Sequence, residues 1–177
     1  MDLSTGIITT VAGSGEQGFS GDGGQATDAA LDTPQGLALD SQGHLFLADS
    51  NNHRIRRIDL ETGIITTVAG NGVDGFGGDG GPASQASFSG PADVALDAEG
   101  NLYIADTFNG TIHRVEAATQ IITQIAGNGE EIFGGDGGPA LDAGLSFPFS
   151  IVLDPEGNLY ISDTFNNRIR AVRGPVP

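Results

Sequence analysis

The chain contains no cysteine and no lysine, and it has no apolar run approaching the ~18 residues of a membrane span. The absence of cysteine excludes disulfides, thiolate metal sites and cysteine nucleophiles. All seven basic residues are therefore arginines, against 23 acidic residues, for a formal net charge of −16. Such an acidic surface repels phosphate backbones and anionic lipid headgroups. We expect no nucleic-acid or membrane partner. The opening residues lack a signal-peptide pattern, and no compartment is predicted.

One motif occurs three times at a constant spacing of 57 residues. The segment Thr5-Gly6-Ile7-Ile8-Thr9 returns at 62–66 and, with Gln in place of Gly, at 119–123. No insertion or deletion interrupts the spacing. A fixed period of this length is typical of stacked repeat architectures. We divide the 177 residues into repeats 4–60, 61–117 and 118–174.

Each repeat predicts four short strands, rich in apolar and β-branched residues. In the first repeat, the connection Asp40-Ser41-Gln42-Gly43 provides an aspartate to start a turn and a glycine that can adopt positive φ. Four antiparallel strands in every repeat indicate an all-β fold of three four-stranded propeller blades. The predicted strands are 36–40, 44–49, 54–59 and 63–69; 93–97, 101–106, 111–116 and 120–126; and 150–154, 158–163 and 167–172.

The second and third strands carry a segment that resembles the NHL repeat. Residues 45–56 read Leu-Phe-Leu-Ala-Asp-Ser-Asn-Asn-His-Arg-Ile-Arg, and residues 159–170 repeat the pattern Leu-x-x-x-Asp-x-x-Asn-x-Arg-Ile-Arg, with Asn at the position of the histidine. The middle copy departs further, with Asn-Gly-Thr-Ile-His at 109–113. The resemblance covers essentially the whole chain. It implies a β-propeller, most often of six blades, with protein interaction as the usual function.

The third repeat ends before its fourth strand, and that strand occurs instead at the other end of the chain. Three blades cannot close a ring, because closed propellers have at least four. We therefore expect a homodimer that forms a six-bladed ring, in which each displaced strand completes the partner's last blade. A fragment of a longer propeller, and an engineered half-propeller whose only function is self-assembly, stay open as alternatives. The predicted assembly strand comprises residues 6–12, and the residues expected to make the exchange are Gly6, Ile7, Ile8, Thr9, Thr10 and Val11.

Several acidic residues and histidines are candidates for chemistry, but their contexts favour structural roles. Asp22, Asp79 and Asp136 lie in identical Gly-Asp-Gly-Gly loops, where a carboxylate can cap backbone N–H groups. Together with Asp93 at the channel they are only weak metal candidates, since the loops lack EF-hand spacing. The histidines at 44, 53 and 113 share no repeat phase, so they do not predict a joint site. We expect no cofactor, no bound metal and no catalytic residue.

The loops between blades and the turns between second and third strands should emerge on one face of the propeller. That face is the expected recognition surface for a protein or small ligand. Asp49, Asp106 and Asp163, just before these turns, are predicted to cap them and to pair with arginine. The sequence thus favours a non-enzymatic binding scaffold, and a metal-assisted lyase or hydrolase is the alternative. The candidate ligand-face residues are Asn51, Asn52, His53, Asn109, Asn166 and Asn167.

Overall fold

The computed structural model describes residues 6–174, which fold into eleven β-strands joined by turns and long loops. No helix in this range is long and apolar enough to cross a membrane. The strands are β1 Pro34–Leu39, β2 His44–Asp49, β3 Arg54–Asp59, β4 Ile65–Ala69, β5 Pro91–Leu96, β6 Leu102–Asp106, β7 Thr111–Val115, β8 Ile122–Ala126, β9 Pro148–Leu153, β10 Leu159–Asp163 and β11 Arg168–Val172. Five single 3₁₀ turns lie between them, at Ala26–Asp28, Ser50–Asn52, Ala83–Gln85, Thr107–Asn109 and Ala140–Asp142.

The strands form three antiparallel sheets, one for each repeat. Blade one has the order β1-β2-β3-β4 and blade two the order β5-β6-β7-β8, whereas blade three has three strands, β9-β10-β11. The predicted strands are confirmed to within two residues at their ends. The first strand of each blade begins two residues earlier than predicted, at a proline. Proline is tolerated at the first position of a strand because the ladder need not use its nitrogen there.

The hairpin turns form as the sequence predicts. The Asp40 carboxylate accepts hydrogen bonds from the backbone N–H groups of Gln42 and His44, at 2.9 and 2.8 Å. Gly43 follows at φ 87°, a left-handed conformation that favours glycine. Asp97 and Asp154 repeat these contacts in the other two blades.

The hydrophobic core lies between the blades. One buried cluster joins blade one to blade two, and a second joins blade two to blade three. A third cluster covers the flank of blade one that faces away from blade two, and it contains residues of blade one and its preceding loop alone. The inner strands β1, β5 and β9 contact one another in succession, as blades around an axis do.

The long loops fold compactly against their own blades. Each contains a 3₁₀ turn that follows the Gly-Asp-Gly-Gly segment, and in blades two and three a proline directly precedes the turn. Gly21 takes φ 88° and lies so close to Ala29 that an added Cβ would come within 2.8 Å of the Ala29 Cα. Gly78 and Gly135 make the same close approach to Ala86 and Ala143. Glycine is therefore required at this phase of the loop.

Candidate functional site

A fully buried aspartate ends the second strand of every blade and ties the blade together. In blade one, Asp49 Oδ1 accepts the backbone N–H of Asp32 at 2.8 Å, and Oδ2 accepts the amide of Asn52 at 2.9 Å. Arg56, also fully buried, donates to the same Oδ2 at 3.1 Å. The hallmark residues of the repeat thus join the long loop, the turn and the third strand. The equivalent carboxylates are Asp106 and Asp163.

Blade two lacks the arginine of this network. His113 stands where blades one and three have Arg56 and Arg170. Its Nε2 lies 3.6 Å from Asp106 Oδ2 and 3.1 Å from the Thr111 hydroxyl. Its Nδ1 is buried and has no hydrogen-bond partner within residues 6–174. The buried carboxylate of blade two is therefore held by neutral donors and a distant imidazole.

The aspartates of the three Gly-Asp-Gly-Gly loops each make contacts within their own blade. Asp22 pairs with Arg56 and Asp136 with Arg170, each at 2.8 Å. Asp79, without an arginine nearby, accepts the backbone N–H of Gln124. Within residues 6–174 no group of three histidine or acidic side chains is arranged to hold a metal ion.

Asp93 lies on β5, where it faces blade three. Its Oδ2 accepts the Ser150 hydroxyl and the Ile151 backbone N–H, both at 2.9 Å. The carboxylate thus links the inner strands of two blades.

Phenylalanines of two long loops pack their ring faces against arginines of the third strands. The Arg54 guanidinium lies 3.7 Å from the centre of the Phe19 ring, and that of Arg168 lies 3.6 Å from the Phe133 ring. Both phenylalanines are partly exposed and hold arginine by cation–π contact.

The three histidines have separate hydrogen-bond partners. His44, the first residue of β2, donates through Nδ1 to the Asp40 carboxylate at 2.8 Å, at the opposite end of the blade from the long loops. His53 ends a 3₁₀ turn at φ 53°, and its Nδ1 accepts the Gly90 backbone N–H at 3.2 Å. Burial alone would raise the pKa of Asp40, but hydrogen bonds from the His44 N–H and imidazole outweigh it and hold that pKa below its usual value.

The predicted recognition face does collect the long loops and the second-to-third turns, and we call it the loop face. It carries loops 13–33, 70–90 and 127–147 together with turns 50–53, 107–110 and 164–167. Backbone hydrogen bonds join each turn to the end of its loop, from Asn51 to Asp32, from Phe108 to Ser89 and from Phe165 to Ser146.

The predicted ligand-face side chains lie in these turns, where the fold uses their amides. Asn51 donates to Asp32 and Thr33, at 3.0 and 2.8 Å. Asn167, like His53, takes a positive φ, of 55°, at the end of its turn. Asn52, Asn109 and Asn166 all donate to the buried aspartate of their own blade.

Four phenylalanines that the sequence interpretation did not single out form a contiguous cluster on the loop face, beside the start of β9. The Phe147 ring stacks on Phe165 with centroids 4.4 Å apart, and it meets Phe108 edge-on at 5.6 Å and Phe149 at 6.4 Å. Phe108 and Phe165 are 54% and 62% exposed. We call Phe108, Phe147, Phe149 and Phe165 the aromatic patch. Phenylalanine at the phase of Asn51 in two of three repeats was the available sequence clue.

A groove runs along the outer edge of blade three. It lies between loop residues 135–138 and β11 residues 170–172, and it encloses about 230 Å³. In blades one and two the fourth strand occupies the equivalent position. We call this feature the third-blade groove.

Comparison with known families identifies a partial match. The family model described as the Teneurin NHL domain matches residues 5–76. The protein SUPPRESSOR OF QUENCHING 1 of Arabidopsis thaliana is 29% identical over 175 residues, which is 94% of this chain and 16% of that protein. NHL repeat-containing protein 2 of Gallus gallus is 42% identical over 74 residues, or 41% of this chain and 10% of that protein. The chain thus spans a small fraction of the relatives' length.

Solved structures agree on the fold. An auxiliary nutrient binding protein from Bacteroides ovatus superimposes with a TM-score of 0.63 at 22% identity, covering 77% of this chain and 36% of that one. At this identity the similarity concerns the fold alone.

Proposed function

The chain belongs to the NHL-repeat β-propeller family, and from this premise we propose that two copies close into one six-bladed ring. The ring is a non-enzymatic scaffold, and its loop face binds a protein or small ligand. The observation that carries the proposal concerns the interfaces between blades. The interfaces of blade two with blades one and three are complete within the chain. The outer flanks of blades one and three each resemble one half of such an interface.

Equivalent residues differ sharply in burial at these flanks. Ile55 of blade one and Ile112 of blade two are fully buried, whereas Ile169 at the same phase of blade three is 72% exposed. On the opposite flank, Leu37 of blade one is 61% exposed, and its equivalent Val94 is 3% exposed. Burying such apolar side chains contributes roughly 1.5–3 kcal/mol each. A neighbouring blade three would cover Leu37 as blade one covers Val94.

The third-blade groove has the hydrogen-bonding pattern of a missing strand. In blade two the Gly80 N–H donates to the Ile122 carbonyl at 2.8 Å, and the Ile122 N–H donates to Gly81 at 3.0 Å. Blade one repeats both bonds with Gly23, Ile65 and Gly24. At the same phase of blade three, the Gly137 N–H has no backbone partner within residues 6–174.

The amino-terminal segment suits this groove. Residues 7–11 pair with no strand in the described chain, and Ile8 is 85% exposed. The segment is anchored to blade one by bonds from Gly13 to Ala26 and from Ser14 to Ala29, each 2.8 Å. Gly70 and Asn71 make the same bonds after the fourth strand of blade one. Residues 6–12 therefore leave blade one where the fourth strand of a preceding blade would lie.

The repeats also define the register of the exchange. In blade two, Arg114 pairs with Thr123 and Val115 with Ile122, and the equivalents in blade one pair identically. Transferred by the 57-residue period, this register pairs Ala171 of one protomer with Thr9 of its partner, and Val172 with Ile8. Antiparallel strand addition of this kind satisfies the backbone along both edges.

The mass of the particle in solution tests the assembly. We expect sedimentation to give twice the 18.0 kDa chain mass. Ile8→Lys should reduce this to one chain, because it places a charge against the partner's core. Val73→Lys, at an exposed loop position away from the seam, is the matched control. A single-chain mass for the unaltered protein would refute the proposal.

Disulfide trapping tests the register, on a background free of cysteine. Thr9→Cys with Ala171→Cys should oxidise to a covalent two-chain species, since paired Cα atoms lie within disulfide reach. Thr10→Cys with Ala171→Cys shifts the register by one residue and should cross-link poorly. Equal cross-linking by both pairs would argue against the register.

A further inference from the structure

We propose that the aromatic patch is a docking site for a positively charged peptide segment that also carries apolar side chains. The proposal deepens the recognition function proposed above and rests on it. It names the chemistry of the partner of the loop face.

The repeats indicate that the fold does not need these phenylalanines. Blade one has Asn51 where blades two and three have Phe108 and Phe165. At the phase of Phe149, blades one and two have Gln35 and Ala92. Blade one folds with polar residues at these phases, so the aromatic rings are not required for packing.

Phe147 occupies an unfavourable backbone conformation. Its φ is 50°, and blade two has a glycine, Gly90, at the same phase with φ 54°. A bulky residue with positive φ is uncommon and strained, whereas glycine adopts this conformation freely. Phe147 is nevertheless the ring that contacts all three other members of the patch. Thr33 of blade one has the same conformation, with φ 54°, so positive φ is imposed at this phase in every blade. A phenylalanine at this phase occurs in blade three alone, where its ring forms the centre of an exposed aromatic surface.

Charge selects the partner. The chain carries −16 and has no lysine, and the arginine nearest the patch along the chain is already engaged. Arg168 lies over the Phe133 ring and donates through Nη1 to the Asn166 carbonyl at 2.7 Å. Beside the patch, the Asp93 carboxylate accepts a hydrogen bond from the hydroxyl of Ser150, the residue after Phe149. An acidic surface steers a cationic partner toward itself, and aromatic faces attract guanidinium and ammonium groups.

Apolar side chains on the partner are required as well. Exposed aromatic clusters of this kind act as anchors in protein interfaces, because they bury a large area at low entropic cost. By repeat equivalence, Phe165 meets Thr33 of the partner subunit in the closed ring, as Phe108 meets Phe147 within one chain. The ring would thus present two such patches around one channel mouth.

Fluorescence anisotropy with labelled octapeptides tests the proposal. The probes are alternating Arg-Leu, Arg-Ser and Glu-Leu peptides, at 150 mM salt. Phe108→Asn with Phe165→Asn gives blades two and three the residue that blade one has at this phase. Val73→Asn, at an exposed residue outside the patch, is the matched control.

We expect the Arg-Leu peptide to bind at least tenfold more tightly than either other peptide. The double variant should lose at least tenfold in affinity, and the control variant should keep it. If the Arg-Ser peptide bound as tightly as Arg-Leu, charge alone would explain the binding. If the Glu-Leu peptide bound as tightly as Arg-Leu, apolar contact alone would explain it. Either result would overturn the proposal. So would unchanged affinity in the double variant.

Sedimentation of every sample separates this proposal from the assembly. A two-chain particle that binds no peptide leaves the ring standing and refutes the docking site. A single-chain particle that binds Arg-Leu through the phenylalanines supports the docking site and refutes the ring.

Discussion

Arg56→Met should be among the most destabilising single substitutions in the chain. The Arg56 side chain is fully buried, with Nη1 3.1 Å from Asp49 and Nη2 2.8 Å from Asp22 and 3.0 Å from the Ser20 carbonyl. At an effective dielectric constant near 20, one such pair at this distance is worth about 5 kcal/mol of Coulomb energy. Methionine keeps most of the apolar volume but leaves Asp49 charged and buried. We expect the free energy of unfolding to fall by about 3–5 kcal/mol.

Two further substitutions isolate the buried charge as the cause. Asp22→Asn removes the other ion-pair partner, whose side chain is 40% exposed, and should cost no more than about 1 kcal/mol because solvent screens the pair. His113→Met acts at the same phase of blade two, where the imidazole lies 3.6 Å from the carboxylate and hydrogen-bonds the Thr111 hydroxyl at 3.1 Å. It should cost about 1 kcal/mol, the usual contribution of that one hydrogen bond.

Urea denaturation followed by far-UV circular dichroism measures all three variants. The protein concentration must be constant, because association contributes to apparent stability. The reasoning fails if Arg56→Met lies within 1 kcal/mol of the unaltered protein. It fails equally if His113→Met costs as much as Arg56→Met, since a shared packing defect would then explain both.

Two other predictions concern the inner strands and acid stability. An added Cβ at Gly36 would lie 2.5 Å from the Asp93 Cα and 2.8 Å from the Ala92 carbonyl, so Gly36→Ala should separate β1 from β5 and cost about 3 kcal/mol. Gly75→Ala, whose new Cβ would meet only Ser87 at 3.9 Å, should leave the urea midpoint unchanged; similar losses in both would contradict the close approach. The Asn158 amide lowers the pKa of Asp154, so the stability that this carboxylate contributes is present above its unfolded pKa near 3.9 and is lost as pH falls through the lower folded value. Asp154→Asn should therefore flatten the dependence of the denaturation midpoint on pH below about 4, and parallel curves for both proteins would count against it.

The strands and turns could be predicted because each depends on local sequence that recurs. The Asp40-to-Gly43 connection contains its whole turn, with carboxylate and left-handed glycine three residues apart. The predicted start of β1 lies two residues too late, because the sequence interpretation took Pro34 as the boundary before the strand. In the structure Pro34 already pairs with Asp49, and an irregularity in the pairing between Pro34 and Leu37 accommodates the proline.

The aromatic patch could not be predicted from the period. Phe108 belongs to the second repeat and Phe147 to the third, and they meet because a turn of one blade lies beside the loop that ends at the next. Contacts between neighbouring blades relate different phases, so aligning equal phases does not reveal them. Phe19 and Phe133 also contact a different phase of the repeat, because each reaches an arginine 35 residues further along the chain, in the third strand of its own blade.

Differences between blades at one phase separate the positions that the fold requires from those it leaves free. Where blade two replaces arginine with His113, a buried carboxylate loses its charge partner, so variation at that phase has a structural consequence. Where blade one has Asn51 in place of phenylalanine, the turn keeps its backbone bond to the preceding loop. Variation there exchanges the Asn51 hydrogen bonds to Asp32 and Thr33 for an exposed aromatic ring, and the backbone connection is unaffected. Because a fold supports many functions through such grafted sites, the second kind of position is where binding specificity can change without loss of the propeller.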